Sequence, residues 1–400
     1  MSGYFTNGVP QATGPLTGLE TIPADTNLTS GLAPESEAIT TAQLAAYATQ
    51  KAGANFRDFL DGGDFTINPW QRGTAFTGIA NAVTYTADRW YGFGAATSSI
   101  SISQQAIVSS SLPVYNKALQ FGRAAANTDV NPIYLGHVLE TADVIRAQGQ
   151  QMILSFYVLA GANFSGANGN LSVNVYSTVG GAANQSAAAL QAGTWTAQAS
   201  AIAQGSAQLV LPTTSWQRFF ALVNVPVGAT QLGVNISYTP TGTAGANDWV
   251  QFADFDLAIV GASGFISSTA SQLTLSQFAP APERRDVQVE LEICQRYCFV
   301  INEPAANVVV GAGMNNTAAI QTIFVPFPTQ MIKAPTVTFS GTPTWKTNQA
   351  NTATASTITA GTTHTQNAMS LLGNSAGVAG QATLLQGGGG TGVIIASADF

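Results

Sequence analysis

Between Phe65 and about Val260, apolar and polar positions alternate in short runs. Examples are "SSISISQQ", "KALQFGR", "MILSFYVLAG", "LSVNVYST", "QRFFALVNVP", "LGVNISYTP" and "WVQFADFDLAIV". These runs are rich in β-branched and aromatic residues, and Gly, Pro, Asn and Thr punctuate them. A period of two places successive side chains on opposite faces, the mark of half-buried strands. "DFTIN", "VTYTADRWYGFG", "YLGHVLE" and "AQLVLP" extend the series. Many short strands at this spacing predict an antiparallel β-sandwich or jelly roll. "ETADVIRAQGQQ" reads as a loop or short helix, and the small-residue stretch "GGAANQSAAALQAG" as a surface excursion.

The pattern changes at both ends. Residues 1–60 hold an extended or hairpin stretch near residues 19–22. A helix follows over "AQLAAYATQKA", with Thr40 or Thr41 as N-cap. So short a helix is marginal alone and needs a partner surface. In "SQFAPAPERRD", Pro280 and Pro282 hold the chain extended and mark a boundary. Beyond it "VQVELEICQRYCFVI" starts with period two and then becomes ambiguous. "NVVVGAG", "AIQTIFVPFP", "APTVTFSG" and "TGVIIASADF" read as further strands. The chain is thus all-β in three parts: a short N-terminal segment with a helix (1–60), a jelly roll (61–278) and a smaller C-terminal β domain (279–400).

Composition narrows the function. Charged residues are only 8% of the 400 residues, against roughly 25% in an average protein. Such a surface depends on hydroxyl and amide hydrogen bonds, which suits a rigid particle component. The net charge of −7 and thirteen scattered basic residues argue against nucleic acid, whose phosphates need clustered Lys and Arg. No apolar run approaches the ~20 residues of a membrane span. The N-terminal "MSGYFTNGVPQATG" lacks the basic and apolar regions of a secretory signal, so the expectation is synthesis in the cytoplasm.

Candidate chemistry is sparse. His137 lies in an expected strand and His364 in a Thr-rich loop, and neither forms a triad with neighbours in sequence. Asp254 and Asp256, on one uninterrupted strand, would share a face roughly 6.5–7 Å apart. That spacing fits strand capping, a structural calcium ion or, as a distant alternative, glycoside hydrolysis. The four glycines 387–390 lack the Lys-Ser/Thr of a phosphate loop and read as a turn. Cys294 and Cys298 match neither a redox nor a zinc spacing, and read as buried thiols. The aromatics remain. Trp70, Trp90, Tyr91, Trp195 and Trp249 are either sandwich core or platforms on which sugar rings stack, and the sequence leaves both readings open.

Several motifs together resemble a known group. "TTSWQRFFALVNVP" followed by "DWVQFADFDLAIV" resembles the last strands of carbohydrate-binding-module-like jelly rolls, and "MILSFYVLAG" an earlier one. "FTINPWQRGTAF" leading into "YTADRWYGFG" is similar to the opening of such domains in bacteriophage tail-fibre and virion-surface proteins. "ELEICQRYCFVI" and "QMIKAPTVTFSG" are similar to the segments that follow there, although Cys298 stands where that pattern has a second aromatic. "LTGLETIPADT" and "AITTAQLAAYA" resemble the attachment modules of phage appendage subunits. The resemblance implies a non-enzymatic virion structural protein, a tail fibre, head spike or head decoration subunit. Residues 1–60 would dock it to other virion proteins, the chains would form a homotrimer, and the jelly roll would adhere to host surface polysaccharide. It implies no cofactor and no named site. A virion-borne depolymerase or glycosidase, or a purely scaffolding decoration protein, is the alternative.

Overall fold

A computed structural model describes residues 21–25, 36–40 and 58–400, apart from 96–99, 109–110, 113, 211, 350–351, 356 and 375–376. In the N-terminal segment Thr21–Asp25 pairs antiparallel with Ser36–Thr40. The helix expected after Thr40 lies outside the described residues.

The alternating runs form two antiparallel layers. One has the order Thr84–Tyr85, Trp90–Gly94, Ile133–Val138, Ala229–Tyr238, Leu171–Val179, Ala199–Ser200, and Gln208–Val210 also pairs with Leu171–Val179. The other has the order Ala75–Ile79, Ile100–Ala106, Lys117–Arg123, Trp249–Ala262, Gln150–Ala160, Gln217–Asn224. From Ile133 onward the long strands alternate between the layers, which gives the jelly-roll sandwich. The inward parity of each strand fills one core. Met152, Leu154, Phe156 and Val158 meet Val234, Ile236, Val173 and Val175, and Trp90 and Phe255 stack at 4.5 Å between ring centroids. Phe59, Leu60 and Phe65 belong to this core, so the sandwich begins with the first continuously described residues.

Local chemistry overrides alternation at four places. "DFTIN" is a turn, because Asp64 accepts from the Thr66 amide through its side chain and from the Asn68 amide through its carbonyl. The strand expected over "VTYTADRWYGFG" is split into Thr84–Tyr85 and Trp90–Gly94, and Arg89 turns the chain between them with φ 72°. "VQVELEICQ" is the helix Val287–Gln295, started by Asp286, whose carboxylate accepts from the Gln288 amide. The expected surface excursion after Gly181 carries the short helix Ala187–Gln191. Its Ala187 and Leu190 are buried against the outer face of the first layer, so it is a cover.

The C-terminal domain is a three-stranded sheet (Cys298–Asn302, Val393–Ser397, Thr336–Ser340) and a seven-stranded sheet. The larger sheet takes Lys346–Gln349, Thr352–Ala355, Thr357–Ala360, Ala368–Asn374 and Ala382–Gln386 from the Thr-, Ala- and Gly-rich tail. Trp345, Met369, Leu371, Leu385 and Ile394 make its core. The glycine run has a specific use. The Glu303 carboxylate accepts from the amides of Thr344, Gly388 and Gly392 and from the Thr344 hydroxyl. A Cβ on Gly392 would lie 2.7 Å from Glu303 Oε2, so only glycine allows the loop to wrap so closely.

The opening motif joins the two domains. Arg72 pairs with Asp399, and Gln71 Nε2 donates to the Cys298 carbonyl at 2.8 Å. The wholly buried Arg89 guanidinium lies 3.5 Å from the centre of the Tyr297 ring and donates to the Val138 carbonyl. Tyr297 donates to Glu140, and the Tyr85 hydroxyl to the Phe400 carbonyl. Both arginines of "NPWQRGTAF…TADRW" therefore serve the junction.

Candidate functional site

Four of the five candidate aromatics are core, which corrects their reading as stacking platforms. Trp70 and Trp90 lie between the layers, and Trp90 Nε1 donates to the Gly62 carbonyl at 3.1 Å. Tyr91 and Trp195 are on the outer face of the first layer but under the Ala187–Gln191 cover. Tyr91 lies across Gly136, where a Cβ would sit 2.3 Å from its ring, and its hydroxyl accepts from Gln191 Nε2. Trp195 lies over Gly233 and donates to the Ser186 carbonyl. Their indole and phenol groups are satisfied inside the fold, as buried Trp and Tyr require.

Trp249 is different. It is half-buried on the outer face of the second layer. Register places it opposite Gly122, and Gly161 lies beneath its ring, where a Cβ would sit 2.8 Å from the indole. Gly161 thus lets the indole pack against the backbone, Gly122 makes room for the Trp249 Cβ, and the side chain stays half exposed. One step along the strand, Gln251 is opposite Gln120 and Leu159, and Gln120 is opposite Ser103. Gln251 Nε2 donates to Gln120 Oε1 at 3.0 Å. That arrangement leaves Gln251 Oε1 and Gln120 Nε2 as an acceptor and donor side by side.

Further along the face, Tyr157 is opposite Arg218 and Ala253. Tyr157 and Trp216 are half-buried, and Tyr115 packs 5.5 Å from Tyr157 between ring centroids. Arg218 lies 5.6 Å from the centre of the Tyr157 ring and donates to Ser155 Oγ at 2.8 Å. From Trp249 to Ala253 the strand rises about 13 Å. The face is therefore a strip with aromatic rings at both ends and paired amides between them. Tyr157, Trp216, Gln120 and Gln251 were not singled out from the sequence. Their signal was parity: Tyr157 is out of phase with the inward Phe156 and Val158.

The acids occupy the far end. Pairing is interrupted between Ala253 and Asp256, and Asp254 takes φ 54° in the bulge. The bulge turns both Phe252 and Phe255 toward the core, and Asp254 and Asp256 stay close enough for the charge of one to act on the other. Asp254 accepts from the Tyr115 hydroxyl, and burial raises its pKa to about 6. Burial, followed by the charge of Asp254, raises Asp256 to about 7, and Asp256 hydrogen-bonds with Asp58. Asp58 is itself raised by burial and accepts from the Leu60 and Leu257 amides. Among the described residues there is no group of three or more His, Cys, Asp and Glu that could hold a metal ion.

The two histidines and the two cysteines pack within the fold. His137 is buried 5.2 Å from the Trp90 ring with Nε2 3.0 Å from the Asp61 carbonyl oxygen, and desolvation lowers its pKa. Ser370 donates its amide to His364 Nδ1. Cys294 and Cys298 are buried free thiols with pKa values raised by desolvation. Among the described residues no helix is long and apolar enough to cross a membrane.

No protein-family model and no curated protein sequence matches the chain. Solved structures do. The chain is similar to the enzymatically active domain of tailspike protein 4 from bacteriophage CBA120, at 9% identity and TM-score 0.30, over 50% of this chain and 21% of that one. It is similar to a family 4 carbohydrate-binding module at 17% identity and TM-score 0.23, over 36% of this chain and 70% of that one. It is also similar to the family 30 carbohydrate-binding module of a Clostridium thermocellum cellulosomal cellulase, at 10% identity and TM-score 0.22, over 46% and 96% of the two chains. The match thus spans about a fifth of the tailspike chain.

Proposed function

We propose that this chain is a non-enzymatic bacteriophage virion protein, a fibre, spike or decoration subunit, whose sandwich binds host surface polysaccharide through the Trp249 face. The observation that carries the reading is the half-exposed indole packed over Gly161 beside the Gln120–Gln251 pair. Sugar rings offer C–H faces to an aromatic plane and hydroxyls to paired amides, and neither contact needs charge. The scarcity of charge along the chain supports a particle component, and residues 1–60 are its docking segment.

Self-association belongs to the same reading, with a homotrimer as the assembly. On the outward side of the seven-stranded C-terminal sheet, Leu384, Ala312 and Phe324 are neighbours in register, with Met314 two residues along. Phe324 is 53% and Met314 50% exposed. A neighbouring apolar groove of about 510 Å³ is lined by Phe299, Val308, Val309 and Pro326 among others. An uncharged apolar patch of this kind marks a protein interface.

The test is a glycan array of bacterial surface polysaccharides, probed with the full chain and Trp249→Ala. Binding by the parent and its loss in the variant are expected. Equal binding by both would remove the Trp249 face from the reading. Release of reducing ends from a bound polysaccharide would replace the adhesin with a depolymerase. Immunogold labelling of particles would place the subunit on head or tail, and particles free of label would end the virion assignment.

A further inference from the structure

The opposite layer of the sandwich holds a recess of about 220 Å³ that the Trp249 face does not use. It opens where Gln208–Val210 pairs at the end of Leu171–Val179, and Asn168, Asn170, Ser172, Leu209, Ser237 and Thr239 line it. Its frame is fixed by backbone. Ala167 donates to the Thr239 carbonyl at 2.9 Å, Gly166 bridges Pro240, and Asn168 and Gly169 turn the chain at φ 57° and 72°. Register explains the floor: Leu209 is opposite Ser172, Ser172 opposite Ser237, and Ser237 opposite Tyr134, with Phe93 one strand further. Tyr134 and Phe93 are half-buried, their ring centroids 5.8 Å apart.

The chemistry of the lining is selective. Two amides and three hydroxyls converge on the recess, and among the described residues none of these side chains is engaged within the chain. No lining residue is charged. Leu209, 64% exposed, forms an apolar wall on one side, and Tyr134 follows the serines on the other. The recess is smaller than the ~300 Å³ at which pockets for drug-sized ligands begin. An amide gives and accepts hydrogen bonds together, which matches adjacent hydroxyls on one ring. A phosphate or carboxylate would enter without a counter-charge.

We propose that this recess is a second binding site that takes a single neutral sugar residue, held by Asn168, Asn170, Ser172, Ser237 and Thr239 against Leu209. Two sites on opposite layers let one sandwich bridge two strands of a polysaccharide. The test uses the full chain with methyl glycosides of glucose, galactose, mannose, rhamnose and N-acetylglucosamine, followed by saturation-transfer NMR and by titration. At least one glycoside should bind, Asn170→Ala should weaken it about tenfold, as loss of one engaged amide does, and Ser237→Val should weaken it likewise. Both losses should persist in a Trp249→Ala background, which removes the contribution of the other layer. If none of the five glycosides binds, or if binding ignores both pocket variants, the second site does not exist. If Trp249→Ala alone abolishes binding, the sugar sits on the other layer: the recess proposal fails and the adhesin reading stands.

Discussion

The two β domains solve the problem of their outer faces in opposite ways. The sandwich covers or polarises its own. The Ala187–Gln191 helix seals Tyr91 and Trp195, and the open parts carry amides, hydroxyls and half-buried rings. The C-terminal sheet leaves Phe324, Met314, Val309 and Leu384 in the open and has four Lys, Arg, Asp or Glu residues beyond Cys298: Glu303, Lys333, Lys346 and Asp399. A half-polar aromatic face suits a hydroxylated ligand, and an uncovered apolar face suits another protein. One chain thus separates what meets the glycan from what meets its own copies.

The largest expected effect tests whether the sandwich owes its integrity to its own core and ion pair. Arg123 and Asp248 are fully buried and paired at 2.7 Å. The guanidinium also donates to the carbonyls of Asp129 and Gly242, and the Ser165 amide donates to Asp248. Asp248→Ala leaves a buried cation without its anion, at a cost of ~3–5 kcal/mol. Denaturant unfolding followed by tryptophan fluorescence should show that loss. A change under about 1 kcal/mol would mean that the carbonyls alone hold Arg123.

Next comes the apolar sheet. Phe324→Glu puts charge at its centre and should shift the mass measured by sedimentation velocity toward monomer, with glycan binding in solution at the Trp249 face retained. An unchanged assembly would move the self-contact to another surface. Loss of glycan binding together with assembly would break the separation of roles drawn between the domains.

Strand existence was legible because period two is strong wherever Val, Ile and Phe alternate with Ser, Asn and Gln, as in "LSVNVYST". The C-terminal tail hid five strands because Thr, Ala and Gly give little apolar contrast to alternate. "VQVEL" alternated but is helical, since the N-cap Asp286 and the buried Glu290–Cys294 side outweigh five residues of pattern. The site was harder. Whether a strand aromatic faces in or out depends on register, and the bulge at Asp254 shifts parity within the very strand that carries Trp249. Trp195 was masked by a cover whose small residues look like loop. Trp249 could be named from sequence, but Gly122, on the strand Lys117–Arg123, and Gly161, just past Gln150–Ala160, lie far from it along the chain.

Carboxylates extend the comparison to pH. In the C-terminal domain, hydrogen bonds from three amides and a hydroxyl outweigh desolvation and hold Glu303 down to about 2. Its folded pKa is below the unfolded value, so its contribution is present above about 4.5 and is lost as pH falls toward 2. Glu303→Gln keeps the size of the side chain but loses charge-assisted bonds. Circular dichroism between pH 2 and 5 should show the variant losing its C-terminal sheet signal less steeply with acid, from a lower plateau. Parallel curves would show that the loop holds without the charge.

The last expected effect has the opposite sign. Asp256 is raised to about 7, so between its unfolded value near 3.8 and 7 the folded state binds more protons than the unfolded state. Stability from this group therefore falls as pH rises through that window, and the penalty is complete only above it. Asp256→Asn keeps a neutral polar group beside Asp58 at every pH. It should flatten the decline in unfolding free energy between pH 5 and 8 and leave the variant the more stable of the two at pH 8. Asp58 and Asp254 are raised by the same burial, so part of the slope remains in the variant. A slope identical to the parent's would place the uptake of protons on those two carboxyls. A variant less stable at pH 8 would mean that Asp256 is ionised there at no net cost, compensated by Arg218, whose charge opposes the upward shift.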